Sequence, residues 1–134
     1  MKIASMFSDV LESLVKAPAT QRYPVERTET PALLRGHLHW DPADCIGCSL
    51  CARDCPANAL EFHVLDKKEK RFVLRYHLDR CIFCGQCVAS CRRGCLELSS
   101  LEWEMATLSQ NGFTIDHGEK NDIAAFNEQL AAGH

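Results

Sequence analysis

Apolar residues near the start of the chain recur with a helical period. In residues 2–16 they fall on one face every three or four positions, and Pro18 ends the segment. The pattern predicts an amphipathic helix with a strongly apolar face. Its two lysines favour a groove in a partner subunit over an anionic membrane surface. The alternative, a helix folded back on the chain's own small core, stays open.

The next stretch has no regular period. Four prolines interrupt residues 18–44, which predicts an extended arm with one short strand around Leu38 and Trp40. We expect His37 and His39 to be strand-face residues and not cluster ligands. The pattern therefore predicts an N-terminal docking region, residues 1–39, made of a helix and an arm.

Further along, alternating residues predict a hairpin and a last helix. Residues 61–65 and 71–78 flank the polar run 66–70, as two strands flank a solvated turn. Residues 98–108 favour a strand or turn followed by a helical stretch, and residues 121–130 place three apolar side chains on one helical face. No apolar run approaches the roughly 18 residues of a membrane span. We predict an α+β fold with a central domain at residues 40–98 and a C-terminal docking extension at residues 99–134.

Eight of the nine cysteines form one pattern written twice, each run being C-x2-C-x2-C-x3-C. Zinc sites more often pair two C-x2-C units about 15–20 residues apart. Disulfides need an oxidising compartment, and Asp9 and Glu12 interrupt the only apolar region that could resemble a signal peptide. The doubled run therefore predicts two iron–sulfur clusters.

This doubled run resembles that of bacterial two-cluster ferredoxins, in which the fourth cysteine of each run ligates the other cluster. The resemblance implies a ferredoxin fold with an internal pseudo-two-fold repeat and two [4Fe–4S] clusters. The first would be held by Cys45, Cys48, Cys51 and Cys91, and the second by Cys81, Cys84, Cys87 and Cys55. The ninth cysteine, Cys95, aligns with Ala59 of the first half, so we expect a buried small side chain beside a cluster and not a ligand.

Charge is distributed unevenly along the chain. Residues 1–44, 45–98 and 99–134 carry net charges of −1, +3 and −5. A ferredoxin that shuttles between partners is usually acidic around its clusters, so this basic core favours a protein docked in a larger assembly. Arg92 stands where the first run has Pro56, and Arg93 follows it. We expect them either to raise the potential of the first cluster or to contact an acidic partner surface.

Other classes of function find little support in the sequence. It has no glycine-rich dinucleotide or phosphate loop, and it offers no defensible general acid, nucleophile or substrate pocket. An oxygen-sensing regulator would need a DNA-binding or effector domain, and none is apparent. Electron transfer is the function that these observations leave.

Residues 80–87, RCIFCGQC, resemble the RCIFCGxC signature of the two-cluster subunit of respiratory complex I and of its relatives in membrane-bound [NiFe] hydrogenases. The resemblance extends to Tyr23-Pro24, Pro31 and Arg35-Gly36 in the arm, and to the stretch 102–106 after the second run. It covers residues 20 to 108, approximately. It implies a non-catalytic subunit that relays single electrons on the cytoplasmic side of a membrane complex, attached through its partners and not by a transmembrane helix.

The short arm and short chain resemble the energy-converting hydrogenase branch of this family more than the respiratory branch. That branch implies hydrogenase small and large subunits and membrane subunits as partners, with a ferredoxin or a dehydrogenase module as electron donor and no nucleic acid. Two alternatives stay open. They are the equivalent subunit of a respiratory NADH:quinone oxidoreductase and a soluble ferredoxin.

Overall fold

A computed structural model describes residues 5–27 and 29–132 of the protein. Its elements, in chain order, are α1 (Ser5–Val15), β1 (Leu38–Trp40), α2 (Leu50–Arg53), β2 (Leu60–Asp66), β3 (Arg71–His77), α3 (Gln86–Ser90), β4 (Leu96–Leu98), β5 (Thr114–His117) and α4 (Lys120–Ala132). A 3-10 turn at Gln110–Phe113 precedes β5. No helix among these residues is long and apolar enough to cross a bilayer.

Two small antiparallel sheets organise the fold. Strand β1, before the first cysteine run, pairs with β4, after the second run, with Leu38 opposite Leu98. Strands β2 and β3 form a hairpin, and β5 pairs with the other edge of β3. Each half of the domain therefore has a strand, a cysteine loop, a short helix and a second strand. The predicted α+β ferredoxin-like fold is confirmed.

The core lies between the two sheets and the cysteine loops. Its buried members come from both halves and are Leu38, Leu60, Leu74, Tyr76, Leu78 and Leu96. Strand β3 buries three consecutive residues because both of its faces are covered. Helix α4 contacts β3 on the outside, where the buried Asp122 accepts a 2.7 Å hydrogen bond from Nε of Arg71. So small a core must depend on its clusters for much of its cohesion.

Several predicted elements are present. The short strand at Leu38 and Trp40 is β1, the hairpin spans 60–66 and 71–77, and the last helix is α4. Helix α1 lies within the predicted range of 2–16, of which residues 2–4 fall outside the described residues. The apolar side chains of α1 are each half or more exposed, so α1 is not folded back on the core in this structure.

The helical stretch expected after residue 98 is wrong. Residues 99–109 have no helix and run along the arm instead. Tyr23 donates a 2.6 Å hydrogen bond to the carboxylate of Glu104, and Arg27 pairs with the same carboxylate at 2.8 Å. The Thr30 hydroxyl donates to the Ser100 carbonyl at 2.8 Å. These contacts hold the segment extended, and they join positions that are far apart in the sequence.

Candidate metal centres

The first cysteine run forms a loop that leads into α2. Cys45 is buried, Cys48 is exposed, and Cys51 lies partly buried on the helix. The backbone is left-handed at Gly47 (φ 69°) and again at Ser49 (φ 57°). A Cβ atom at Gly47 would lie 2.6 Å from Cε1 of Phe72, so glycine is required there by both backbone and space.

The second run repeats this geometry before α3. Its left-handed residues are Phe83 (φ 52°) and Gly85 (φ 78°), which occupy the positions equivalent to 47 and 49. The exposed cysteine is again the second of the run, Cys84. The two loops therefore have the same backbone, with glycine at opposite left-handed positions.

Backbone amides in these loops donate to cysteine sulfurs. The amide of Ala59 lies 3.3 Å from Sγ of Cys55, and the amide of Phe83 lies 3.4 Å from Sγ of Cys81. Such hydrogen bonds stabilise the thiolate form, which is the form that binds a metal. The loops are thus built to hold anionic sulfur.

The fourth cysteine of the first run lies with the second run. Cys55 lines one pocket together with Cys81, Cys84 and Cys87. The hydroxyl of Tyr76 is buried next to this pocket and, among the described residues, makes no hydrogen bond of good geometry. Burial, followed by the neighbouring Cys81 thiol, raises the pKa of Tyr76, so the Cys81 sulfur is the acceptor nearest to hand. A buried hydroxyl without an acceptor is costly, and a sulfide or thiolate sulfur of a cluster would provide one. The all-sulfur donor set and this hydroxyl fit an iron–sulfur cluster.

The fourth cysteine of the second run lies near the first. Cys45, Phe72 and Cys95 form a buried cluster against which Cys91 packs. Sγ of Cys91 lies 3.2 Å from Sγ of Cys95. The structure thus brings Cys91 to the side of the first run, while Cys95 is buried next to both, as expected for a small packed side chain.

The thiols show how much these sites depend on a cation. Burial raises the pKa of Cys51 to about 12, and the neighbouring thiolates of Cys45 and Cys48 add to the rise. Burial also raises the pKa of Cys87. At Cys91 burial acts in the same direction, but hydrogen bonds from the Cys95 thiol and from backbone amides outweigh it and lower the pKa. Several thiolates can share such a volume only when bound iron supplies positive charge.

Besides Tyr76, sequence reasoning missed one more residue of the second site. Arg35, in the arm, donates from Nη1 to the carbonyl oxygen of Cys84 at 2.5 Å. Its guanidinium group lies over Gly85, where a Cβ atom would be 3.5 Å from Cζ. The only signal for it was the Arg35-Gly36 pair in the resemblance to the complex I subunit. Arg92 and Arg93 are exposed, and the amide of Arg93 is among those that donate to Cys91.

The 4Fe–4S dicluster domain family matches residues 44–95. NADH-quinone oxidoreductase subunit I 2 of Geobacter metallireducens is 33% identical over 113 residues, which cover 78% of this chain and 85% of that protein. The chain belongs to the subunit I family. This membership confirms the resemblance seen in the sequence, and the dicluster domain confirms the prediction of two [4Fe–4S] clusters.

Other relatives differ in length. NAD(P)H-quinone oxidoreductase subunit I of Gloeobacter violaceus is 30% identical over 111 residues, or 80% of this chain, and the chain spans about half (53%) of that protein. A solved structure of the membrane-bound sulfane sulfur reductase, an archaeal respiratory membrane complex, is also similar. Its matching chain gives a TM-score of 0.56 at 29% identity, covering 73% of this chain and 51% of that one. Chains similar to this one therefore occur both in quinone oxidoreductases and in a respiratory membrane complex of another kind.

Proposed function

We propose that this subunit I homologue relays single electrons through two [4Fe–4S] clusters as a non-catalytic part of a membrane-associated oxidoreductase. The observation that carries the proposal is the shared pocket of Cys55 with Cys81, Cys84 and Cys87. Crossed ligation of this kind makes the two clusters neighbours within one domain. Adjacent clusters suit electron relay, whereas a purely structural metal would not need a second one beside it.

The ligand sets of the proposal are the crossed ones. The first cluster is held by Cys45, Cys48, Cys51 and Cys91, and the second by Cys81, Cys84, Cys87 and Cys55. When bound, each cluster supplies one-electron redox chemistry. The chain's own contribution is to hold the thiolates, donate amides to sulfur and exclude water. Ile46 and Ile82, the apolar residues that follow the first cysteine of each run, are half or more exposed, so a partner surface would complete the exclusion of water.

Docking into a complex is supported by the apolar surface of α1. Its exposed apolar side chains are Met6, Phe7, Val10, Leu11, Leu14 and Val15. Further large apolar side chains are exposed at Leu101 and Leu108, in the segment after the second run. Such surfaces are uncommon on a freely diffusing protein and typical of an interface. We therefore propose that the chain lies on the cytoplasmic side of the membrane and is bound there through partner subunits.

For the type of complex we propose an energy-converting [NiFe] hydrogenase, with its small, large and membrane subunits as partners and a ferredoxin or dehydrogenase module as donor. The short arm supports it, as does the likeness to a subunit of a respiratory complex named for sulfane sulfur reduction. The second candidate is a NADH:quinone oxidoreductase, which the names of the relatives favour.

Two experiments test the cluster ligands and the type of complex separately. For the clusters, Cys55→Ser should alter the EPR signal of the second cluster and Cys91→Ser that of the first, while Cys95→Ser leaves both in place. An effect of Cys55→Ser on the first cluster alone would contradict the crossed ligand sets. For the complex, anaerobic affinity purification from native membranes with mass spectrometry should recover hydrogenase and antiporter-like subunits. Recovery of NADH-oxidising subunits would favour the second candidate, and recovery of the chain alone would refute docking.

A further inference from the structure

A second group of metal-binding side chains lies outside the cysteine loops. His37 and His39 are two positions apart at the start of β1, so they share one face of the strand, while Leu38 between them lines the pocket of the second cysteine run. The carboxylate of Glu102 lies on the same side as the histidines. One donor atom from each of His37, His39 and Glu102 lies within 4.8 Å of the other two.

The backbone fixes these three residues relative to one another. The amide of His37 donates to the carbonyl oxygen of Glu102 at 2.6 Å, and the amide of Ser99 donates to the carbonyl oxygen of His37 at 2.9 Å. Gly36 allows this approach, because a Cβ atom there would overlap the Glu102 carbonyl. The donors therefore come from two segments that are held together before any ion binds, which lowers the cost of assembling a site.

We propose that His37, His39 and Glu102 bind a divalent transition-metal ion of the zinc type. Two imidazoles and one carboxylate are a common zinc donor set, in which water takes the fourth position. Water can reach this site, since the side chains of His39 and Glu102 are 51% and 64% exposed. The bound ion would cross-link β1 to the segment that follows the second cysteine run.

A simple ion pair is the competing explanation. Nε2 of His39 lies 3.0 Å from Oε2 of Glu102. If His39 is protonated, this contact is an ion pair and needs no metal ion. That pair, however, does not involve His37, whose ring packs edge-on against the ring of Tyr76. Among the described residues, Nδ1 of His37 is buried with no hydrogen-bond partner. Coordination would give the His37 ring a fixed partner as well.

The His37 ring is held in place from its other side. The ring of His117 packs edge-on against it at 6.0 Å. The proposal does not depend on the type of complex to which the chain belongs.

The test uses zinc chloride and the full chain with both clusters loaded, under anaerobic conditions. Equilibrium dialysis with elemental analysis should find one saturable zinc per chain. X-ray absorption at the zinc edge should show nitrogen and oxygen ligands at about 2.0–2.1 Å, with imidazole scattering and no sulfur near about 2.3 Å. Sulfur ligands would show that zinc had entered a cysteine site, and would overturn the proposal.

Variants locate the site. His39→Gln and Glu102→Gln should each weaken zinc binding by at least about tenfold, in line with the loss of a metal ligand. His77→Gln is the matched control, because His77 lies on β3 and pairs with Glu61 at 3.0 Å, apart from the proposed donors. Unchanged EPR signals of both clusters would show that each variant is folded. Equal zinc affinity in His39→Gln and wild type would refute the site.

Discussion

Replacing Gly47 by alanine should destabilise the first cysteine loop far more than the same change at Gly94. Both glycines have a left-handed backbone, with φ of 69° and 65°. They differ in space, because a Cβ atom at Gly47 would lie 2.6 Å from the ring of Phe72, whereas one at Gly94 would meet nothing within 4 Å. Gly94→Ala therefore measures the backbone cost alone. Gly47→Ala measures that cost plus the displacement of a buried ring.

The size of the difference follows from the packing of Phe72. Its ring is 2% exposed and packs against Cys45 and Cys95, so it cannot move away freely. The left-handed backbone costs alanine about 1–2 kcal/mol at either site. Overpacking a filled core adds about 1–3 kcal/mol at Gly47. We expect destabilisation by about 2–5 kcal/mol for Gly47→Ala and by about 1–2 kcal/mol for Gly94→Ala.

Thermal unfolding of the protein, loaded with its clusters under anaerobic conditions, measures which of the two variants is less stable. For a chain of this size 1 kcal/mol corresponds to about 3–5 °C in Tm, so Gly47→Ala should melt at least about 3 °C below Gly94→Ala. Iron and sulfide analysis should also show a loss from the first cluster in Gly47→Ala, since the displaced ring presses on Cys45. Equal Tm values for the two variants would refute the argument that Phe72 is immovable.

Four further predictions concern single side chains. Tyr76→Phe should lower the potential of the second cluster in an EPR-monitored titration, because it removes a hydrogen-bond donor near sulfur, and an unchanged potential would mean that the hydroxyl bonds elsewhere. Arg35→Gln should lower the same potential by removing a cation, with Arg22→Gln, in the exposed arm, as a control that leaves it unchanged. Arg92→Pro should lower the potential of the first cluster; no shift would favour a contact with an acidic partner instead. Asp122→Asn should cost about 1–3 kcal/mol, measured as a lower Tm, because it weakens a partly buried ion pair with β3, and a loss below about 0.5 kcal/mol would contradict that role.

The parts of the fold that the sequence predicts are those specified by nearby residues. The spacing of the cysteines in the doubled run is enough to predict iron–sulfur clusters. The hairpin 60–77 is predicted by two alternating stretches on either side of a charged turn. Strand β5 was missed because its four residues have no pattern of their own and become a strand only by pairing with the edge of β3. The extended segment 99–109 was misread as partly helical for a similar reason. Its conformation is set by Tyr23, Arg27 and Thr30, about 70 or more positions earlier.

At the cluster sites, too, features that depend on residues distant in the sequence could not be predicted. The cysteine positions are evident in the sequence, but the hydroxyl of Tyr76 and the guanidinium of Arg35 reach the second loop only through tertiary structure. Tyr76 looks like an ordinary strand residue until its buried hydroxyl is seen to make no hydrogen bond of good geometry among the described residues. Groups that adjust a cluster, unlike those that bind it, need no fixed spacing from the cysteines.

The two cysteine loops have the same backbone, but glycine occupies the first left-handed position in one loop and the second in the other. The second loop can therefore no longer replace the first. In the first loop the position against Phe72 has no room for a side chain, and the other left-handed position accepts Ser49. In the second loop the equivalent of Gly47 is Phe83. Grafting the second run into the first half would therefore drive one phenylalanine ring into another. A gene built with two copies of the second run would encode this clash, although its cysteines would all be in register.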